Sequence, residues 1–182
     1  MSNNLCLFGA GGHGRVIAEQ LIKAGKNQLC FGDGTLPLHT LVSDIPVLFQ
    51  SVTDIADRAV IITIGDNEIR AKMQAQAEAS GLELASFISP HSYYAADAPG
   101  AGSMVMAGSI VNIGASLGRG VIVNSGAIVE HDAQVGDFCH LSPGSVMTGG
   151  VRLGAGVFLG PNATVLVGVS IVAGAVIGAG AV

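Results

Sequence analysis

The sequence has no tryptophan, only two tyrosines and little charge: 8 Lys and Arg against 13 Asp and Glu in 182 residues, a net charge of −5. No run of basic residues occurs. This argues against nucleic-acid binding, because a phosphate backbone is held by clustered Lys and Arg. The three cysteines, Cys6, Cys30 and Cys139, fit neither zinc-ligand spacing nor a disulfide framework. Cys6 and Cys30 fall in apolar runs and read as small core residues, a usage that suits a reducing cytoplasm. The N-terminus lacks the basic and apolar regions of a signal peptide. Residues 153–182 carry no charge at all. They do contain Pro161, Asn162, Thr164 and frequent glycines, so a membrane-spanning helix is not expected.

Two things are abundant: glycine, at 27 residues, and apolar residues, at 49%. Disorder goes with low hydrophobicity and high charge. A chain both glycine-rich and apolar points instead to a repetitive β architecture whose corners need glycine.

Over the first 90 residues, strand and helix signals alternate. Asn4–Phe8 is a short apolar run ending in glycines, and residues 15–23 have helical apolar spacing with Gly25 as a stop. Residues 29–31 form a second strand candidate, whereas residues 35–58 give no clear signal. Residues 59–64 (AVIITI) are a continuous β-branched run, expected of a buried parallel strand. Residues 66–80 predict a helix with Asp66 as N-cap and Gly81 at its end, and residues 84–88 a last strand. Alternating strands and helices imply a small parallel sheet.

Near Pro90 the period changes to six. Every sixth residue from Val105 to Ile177 is aliphatic or Met, thirteen in succession. Every sixth residue from Ser109 to Ala181 is small or Val, again thirteen. Helices do not produce this rhythm. A triangular parallel β-coil does, with one hexad per side and three hexads per turn. The aliphatic register is expected inside, and the small register at the tight corners. A division into 1–90 and 91–182 follows.

Within the hexads stand Glu130-His131-Asp132 and, further on, His140 in GDFCHLSPG. The first domain carries GAGGHG at Gly9–Gly14 and IGDNEIR at Ile64–Arg70. Together these segments resemble the sialic acid O-acyltransferases and the related UDP-4-amino-sugar N-acetyltransferases of bacterial glycan biosynthesis. The resemblance implies a Rossmann-like α/β nucleotide-sugar-binding domain followed by a left-handed parallel β-helix. It also implies a homotrimer with clefts between subunits, acetyl-CoA as co-substrate and no metal. Relatives usually continue with a further partial coil and a tail, so the C-terminus at Val182 reads as truncated.

His131 lies two residues after the inward Val129 and is expected to point outward. Acetyl transfer to an amine or hydroxyl needs a base, and a neutral imidazole oriented by a carboxylate suits that task. The resemblance assigns the base to His131 and its orientation to Asp132, with Glu130 a second candidate. The bland alternative is a solvated surface triplet. The resemblance also brings His140 to the acetyl-CoA thioester or pantetheine, with a merely packing histidine as the alternative. Gly149 matches a glycine whose N–H can meet the thioester oxygen, or it is an ordinary tight corner. Pro161 and Ala179 match positions that contact CoA.

GAGGHG between a strand and a helix suits phosphate binding at a helix N-terminus. The resemblance puts Gly12, His13 and Gly14 near a diphosphate and Asp33 near the nucleoside. His13 is otherwise a helix-start residue. Gly65, Asp66 and Asn67 could line the same pocket, or form only a strand-to-helix turn with Asp66 capping. The expected activity is acetylation of a UDP-linked 4-amino sugar from acetyl-CoA. The alternatives are O-acetylation of sialic acid or another sugar, and a non-catalytic nucleotide-sugar-binding trimeric scaffold.

Overall fold

The computed structural model describes residues 4–182. They divide into two compact units between Ala85 and Ser86. No described helix is long and apolar enough to cross a membrane.

The first unit contains β1 (Asn4–Phe8), α1 (Gly12–Lys23), β2 (Gln28–Gly32), β3 (Leu41–Val42), β4 (Ile45–Phe49), β5 (Ala59–Ile62) and α2 (Asn67–Ala79). The sheet order is β3-β4-β2-β1-β5. Every pair is parallel except β3–β4. All four residues of β5 are buried, as its unbroken β-branched sequence requires of a strand covered on both faces. Phe8 is in register with Gly32 on one side and Ile62 on the other. The C-terminal ends of β1, β2 and β5 therefore lie side by side. The loops that follow them share one edge of the sheet, the edge where open α/β sheets bind ligands.

Residues 35–58, which carry no clear sequence signal, hold the β3–β4 hairpin. It turns at Ser43 and Asp44, with φ of 49° and 63°. Two left-handed residues in succession are the geometry of the tight hairpin turn, but Ser-Asp lacks the glycine that usually marks it. The expected last strand over 84–88 is split. Leu84 bridges Val60 in the first unit, whereas Phe87–Ile88 pairs with Met104–Val105 in the second.

The second unit is the left-handed parallel β-helix. Fifteen two-residue strands, from Phe87–Ile88 to Val176–Ile177, stack into faces of four, five and six strands. From Met104 onward partners are eighteen residues apart, as in Ile122↔His140 and Val123↔Leu141, whereas the first two strands pair at seventeen, as in Phe87↔Met104 and Tyr93↔Ile110. The aliphatic register faces inward, and Val105, Val111, Val123, Val129, Leu141, Met147 and Leu159 have no exposure. Each such residue contributes about 1.5–3 kcal/mol.

The small register also faces inward, and Val121, Ala127, Ala133, Cys139 and Val157 are fully buried. The left-handed corner is one residue earlier. All fourteen positions of the register running from Gly102 to Gly180 have positive φ; eleven are glycine and the others are Asp132, Phe138 and Asn162. A Cβ at such a position costs about 1–2 kcal/mol, which is why glycine recurs there.

Candidate functional site

His131 and Asp132 sit on the corner between the five-stranded and four-stranded faces, following Ile128–Val129 and preceding Gln134–Val135. Asp132 is the left-handed residue of that corner, with φ 61°, a conformation short polar side chains tolerate. Its Oδ2 lies 2.9 Å from His131 Nδ1. An ionised carboxylate only accepts, so Nδ1 carries the proton and the Nε2 lone pair is left outward. The side chains are 62% and 74% exposed, so this pair is presented rather than buried. The hydrogen bond to Asp132 raises the imidazole pKa above its ordinary value; desolvation opposes it, and the charges of Asp132 and Glu130 add to it.

One rung along the same corner lies Gly149. Its backbone is not left-handed; the corner residue there is Gly150, with φ 68°. Gly149 is small because the imidazole leans over it: a Cβ there would stand 2.7 Å from His131 Nε2. Glu130 is fixed separately, accepting a 2.8 Å hydrogen bond at Oε2 from Asn112 Nδ2 one rung below. Ile113 and Val167 continue the column of His131 and Gly149, 73% and 76% exposed. The sequence-predicted triplet and Gly149 are thus brought together.

His140 is on the six-stranded face, which lies across the prism from that corner. Its ring is 9% exposed and packs edge-on against Phe158 at 5.2 Å between centroids. Asn124 Oδ1 accepts from Ser125 N at 2.8 Å, so Asn124 Nδ2 faces His140 Nε2 at 3.1 Å as a donor. Nε2 is then the acceptor, and the neutral ring holds its proton on Nδ1. Within one chain His140 and His131 therefore face different directions. Pro161 and Ala179 are exposed on a further corner, one rung apart, with Gly180 N donating to Pro161 O at 2.8 Å.

In the first unit, Gly9, Gly11, Gly12, His13, Asp33, Thr35, Thr63, Gly65 and Ile69 line an open cleft of about 460 Å³ at the C-terminal sheet edge. The glycines serve different purposes. Gly14 is packed against the Gly9 carbonyl, leaving no room for a side chain, whereas a Cβ at Gly11 or Gly12 would meet nothing within 4 Å beyond its own neighbouring backbone. No side chain caps α1 at Gly11, and its first turn holds no acidic residue. The free space and the polar N–H ends of α1 thus both face the cleft.

Asp33 ties the cleft together. Oδ2 accepts from Ala10 N at 3.0 Å, and Oδ1 from the backbone and hydroxyl of Thr35 at 2.9 and 2.7 Å and from Leu36 N at 3.3 Å. Burial disfavours its charge, but these hydrogen bonds outweigh it and hold its pKa below the ordinary carboxylate value. Asn67 turns its Oδ1 to Arg70 at 2.8 Å. Asp66 caps α2, its Oδ1 accepting from Ile69 N at 2.9 Å.

Sequence reading missed Asn112, Asn124 and Thr63. The two asparagines lie eighteen and sixteen residues from their partners, so only an eighteen-residue rung spacing applied to outward polar positions would have found the first. Thr63 holds the glycine loop through Oγ1 to Gly9 O at 2.8 Å. Among the described residues no group of His, Cys, Asp or Glu gathers as a metal site.

Residues 4–77 match a family model described as the PglD N-terminal domain. The acetyltransferase domain of PglB from Neisseria gonorrhoeae is 32% identical with a TM-score of 0.92, over 98% of this chain and 90% of that one. The same domain in complex with acetyl coenzyme A gives 33% and 0.93, over 100% and 91%. PerB from Caulobacter crescentus, in complex with CoA and GDP-perosamine, is 32% identical with a TM-score of 0.86, over 97% and 86%. No curated protein matches the chain.

Proposed function

The chain belongs to the hexapeptide-repeat sugar acetyltransferase family, and on that premise we propose that it moves the acetyl group of acetyl-CoA to the amine of a nucleotide-linked amino sugar. The first unit binds the nucleotide sugar and the second carries the chemistry. The observation that carries this reading is the outward His131 Nε2, oriented through Nδ1 by Asp132 and set against Gly149.

His131 takes a proton from the amine as its nitrogen attacks the thioester carbonyl. The resulting tetrahedral oxyanion meets the N–H of Gly149. Collapse breaks the C–S bond, and the imidazolium proton passes to the departing CoA sulfur. Asp132 stabilises the imidazolium, and Glu130, held by Asn112, adds negative charge nearby. His140 stands at the thioester end of CoA, with Pro161 and Ala179 along the CoA path.

In the first unit the α1 N-terminus at Gly12, His13 and Gly14 takes the diphosphate, with Asp33 and Gly65 at the rim toward the nucleoside. Asn67 acts from behind that rim. The cleft favours a nucleotide-linked acceptor over free sialic acid. We assign UDP as the nucleotide; GDP is the second reading, because PerB was crystallised with GDP-perosamine.

His131 and His140 face apart within one chain, and Ile113 and Val167 leave an apolar surface beside the base. Both features support a homotrimer whose active sites join the His131 corner of one subunit to the His140 face of the next. The chain acts in the cytoplasm, where acetyl-CoA is made.

The test is incubation with acetyl-CoA and a panel of UDP- and GDP-linked amino sugars and sialic acids, read by mass. A base-stable mass gain of one acetyl on a nucleotide amino sugar is expected. Acetylation of sialic acid alone would overturn the acceptor assignment.

A further inference from the structure

Cys6 of β1 and Cys30 of β2 stand in register on adjacent parallel strands. Both side chains belong to one core cluster, so they lie on the same face of the sheet. Neighbouring strands run about 4.8 Å apart, and the α carbons of a disulfide lie roughly 4.4–6.8 Å apart. The pair is thus spaced for a disulfide without a change of fold. The two cysteines are unbridged, and neither has a part in acetyl transfer.

Cys30 carries a cation on its sulfur. Arg58 Nη1 donates to Cys30 Sγ at 3.1 Å, and the guanidinium stands over the Phe49 ring, 5.4 Å from its centroid. A guanidinium can only donate, so this contact favours the sulfur as an acceptor, the thiolate. The hydrogen bond from Cys6, with the charge and hydrogen bond of Arg58, outweighs desolvation and lowers the Cys30 thiol to about 7. That same hydrogen bond and burial push Cys6 upward, so Cys6 keeps its proton. Cys139 gives the contrast: it is equally buried, but its S–H donates to Gly154 O at 3.1 Å, as a protonated thiol does.

Cys30 is 1% exposed. However, Arg58 also lines an open depression of about 320 Å³ with Gly81 and Glu83. One side chain therefore reaches from the depression to the sulfur, and its displacement admits a small reagent.

We propose that Cys30 is a site of oxidation by hydroperoxides, with Cys6 as the thiol that resolves it and Arg58 as the cation that prepares it. With hydrogen peroxide, the Cys30 sulfur attacks one oxygen, the O–O bond breaks, and a sulfenic acid forms as hydroxide leaves. The Cys6 sulfur then attacks the Cys30 sulfur. The S–O bond breaks, and the sulfenic hydroxyl leaves with the Cys6 proton as water. Two electrons pass from the sulfur pair to the peroxide, and the hydroxide takes a proton from solvent.

The experiment treats the full chain with hydrogen peroxide at pH 7, without nucleotide or CoA, then denatures it, alkylates the remaining thiols and maps them by mass. A Cys6–Cys30 linked peptide pair that dithiothreitol reverses is expected, with Cys139 still alkylated. Cys6→Ala is expected to stop at a Cys30 sulfenic acid that dimedone traps. Arg58→Gln is expected to react about tenfold more slowly, because an ordinary cysteine is only a few per cent thiolate at pH 7. A reaction gated by unfolding would go at least as fast in Arg58→Gln as in wild type, and that result overturns the proposal. So does a wild type without the linked peptides, or one in which Cys139 oxidises as fast as Cys30. The dimedone test on Cys6→Ala decides the role of Cys30 if Arg58→Gln does not fold. No acetyl-transfer substrate takes part, so the result is independent of the proposed function.

Discussion

His131 Nε2 stands over the α carbon of Gly149, so close that a methyl group on Gly149 would come within 2.7 Å of it. Gly149 is not a left-handed corner, so alanine has no backbone penalty there. The exposed imidazole can swing aside at little cost to the fold. Gly149→Ala is therefore expected to melt within a few degrees of wild type while kcat falls about 100-fold, because a displaced base loses its in-line geometry. Thermal denaturation and initial rates check both halves.

The pH profile carries the signature of the Asp132 hydrogen bond. A base must be unprotonated, so the rate rises as pH passes upward through the His131 pKa. That pKa is raised chiefly by the hydrogen bond to Asp132. Asp132→Asn removes the main raising influence, so the ascending limb of kcat/KM is expected to move to lower pH while the plateau drops. A limb that stays in place would mean that another group titrates.

Much of this site was legible from sequence and part was not, for definite reasons. A six-residue period repeats many times, so the inward registers at Val105 and Ser109 stand out. His131 between inward Val129 and Ala133 could only point out. The corner register was harder to see, because at Asp132, Phe138 and Asn162 it is not glycine. Asn124 and Asn112 reach their partners across rungs, and no local pattern announces such a contact. The β3–β4 hairpin was hidden by a Ser43-Asp44 turn without glycine. Arg70, in a motif that could be quoted but not interpreted, donates to backbone carbonyl oxygens, which no side-chain pattern records.

Glycines 12, 14 and 126 separate three reasons for being glycine. Gly126 is left-handed, φ 67°, with open space around it, so Gly126→Ala is expected to destabilise by about 1 kcal/mol through backbone strain alone. Gly14→Ala is expected to destabilise more, because its Cβ would meet the Gly9 carbonyl. Gly12 has open space and no left-handed φ. Gly12→Ala is expected to keep or raise stability by about 0.5–1 kcal/mol and to weaken nucleotide binding. Denaturant midpoints and UDP titration distinguish the three.

Ser145 is fully buried, and its hydroxyl has no hydrogen-bond partner among the described residues. Ser109, at an equivalent inward position, donates to Met106 O at 2.6 Å. Ser145→Ala is expected to stabilise by about 1 kcal/mol, and Ser109→Ala to destabilise by a similar amount. Equal and opposite shifts in melting temperature are the readout.

The most direct test is the rate of CoA thiol release by His131→Ala, with saturating acetyl-CoA and a nucleotide amino sugar that the wild type acetylates. The base role of His131 predicts a fall of about 100- to 10,000-fold in kcat, with nucleotide affinity and oligomeric state unchanged. A variant of unchanged fold that turns over at the wild-type rate would contradict it.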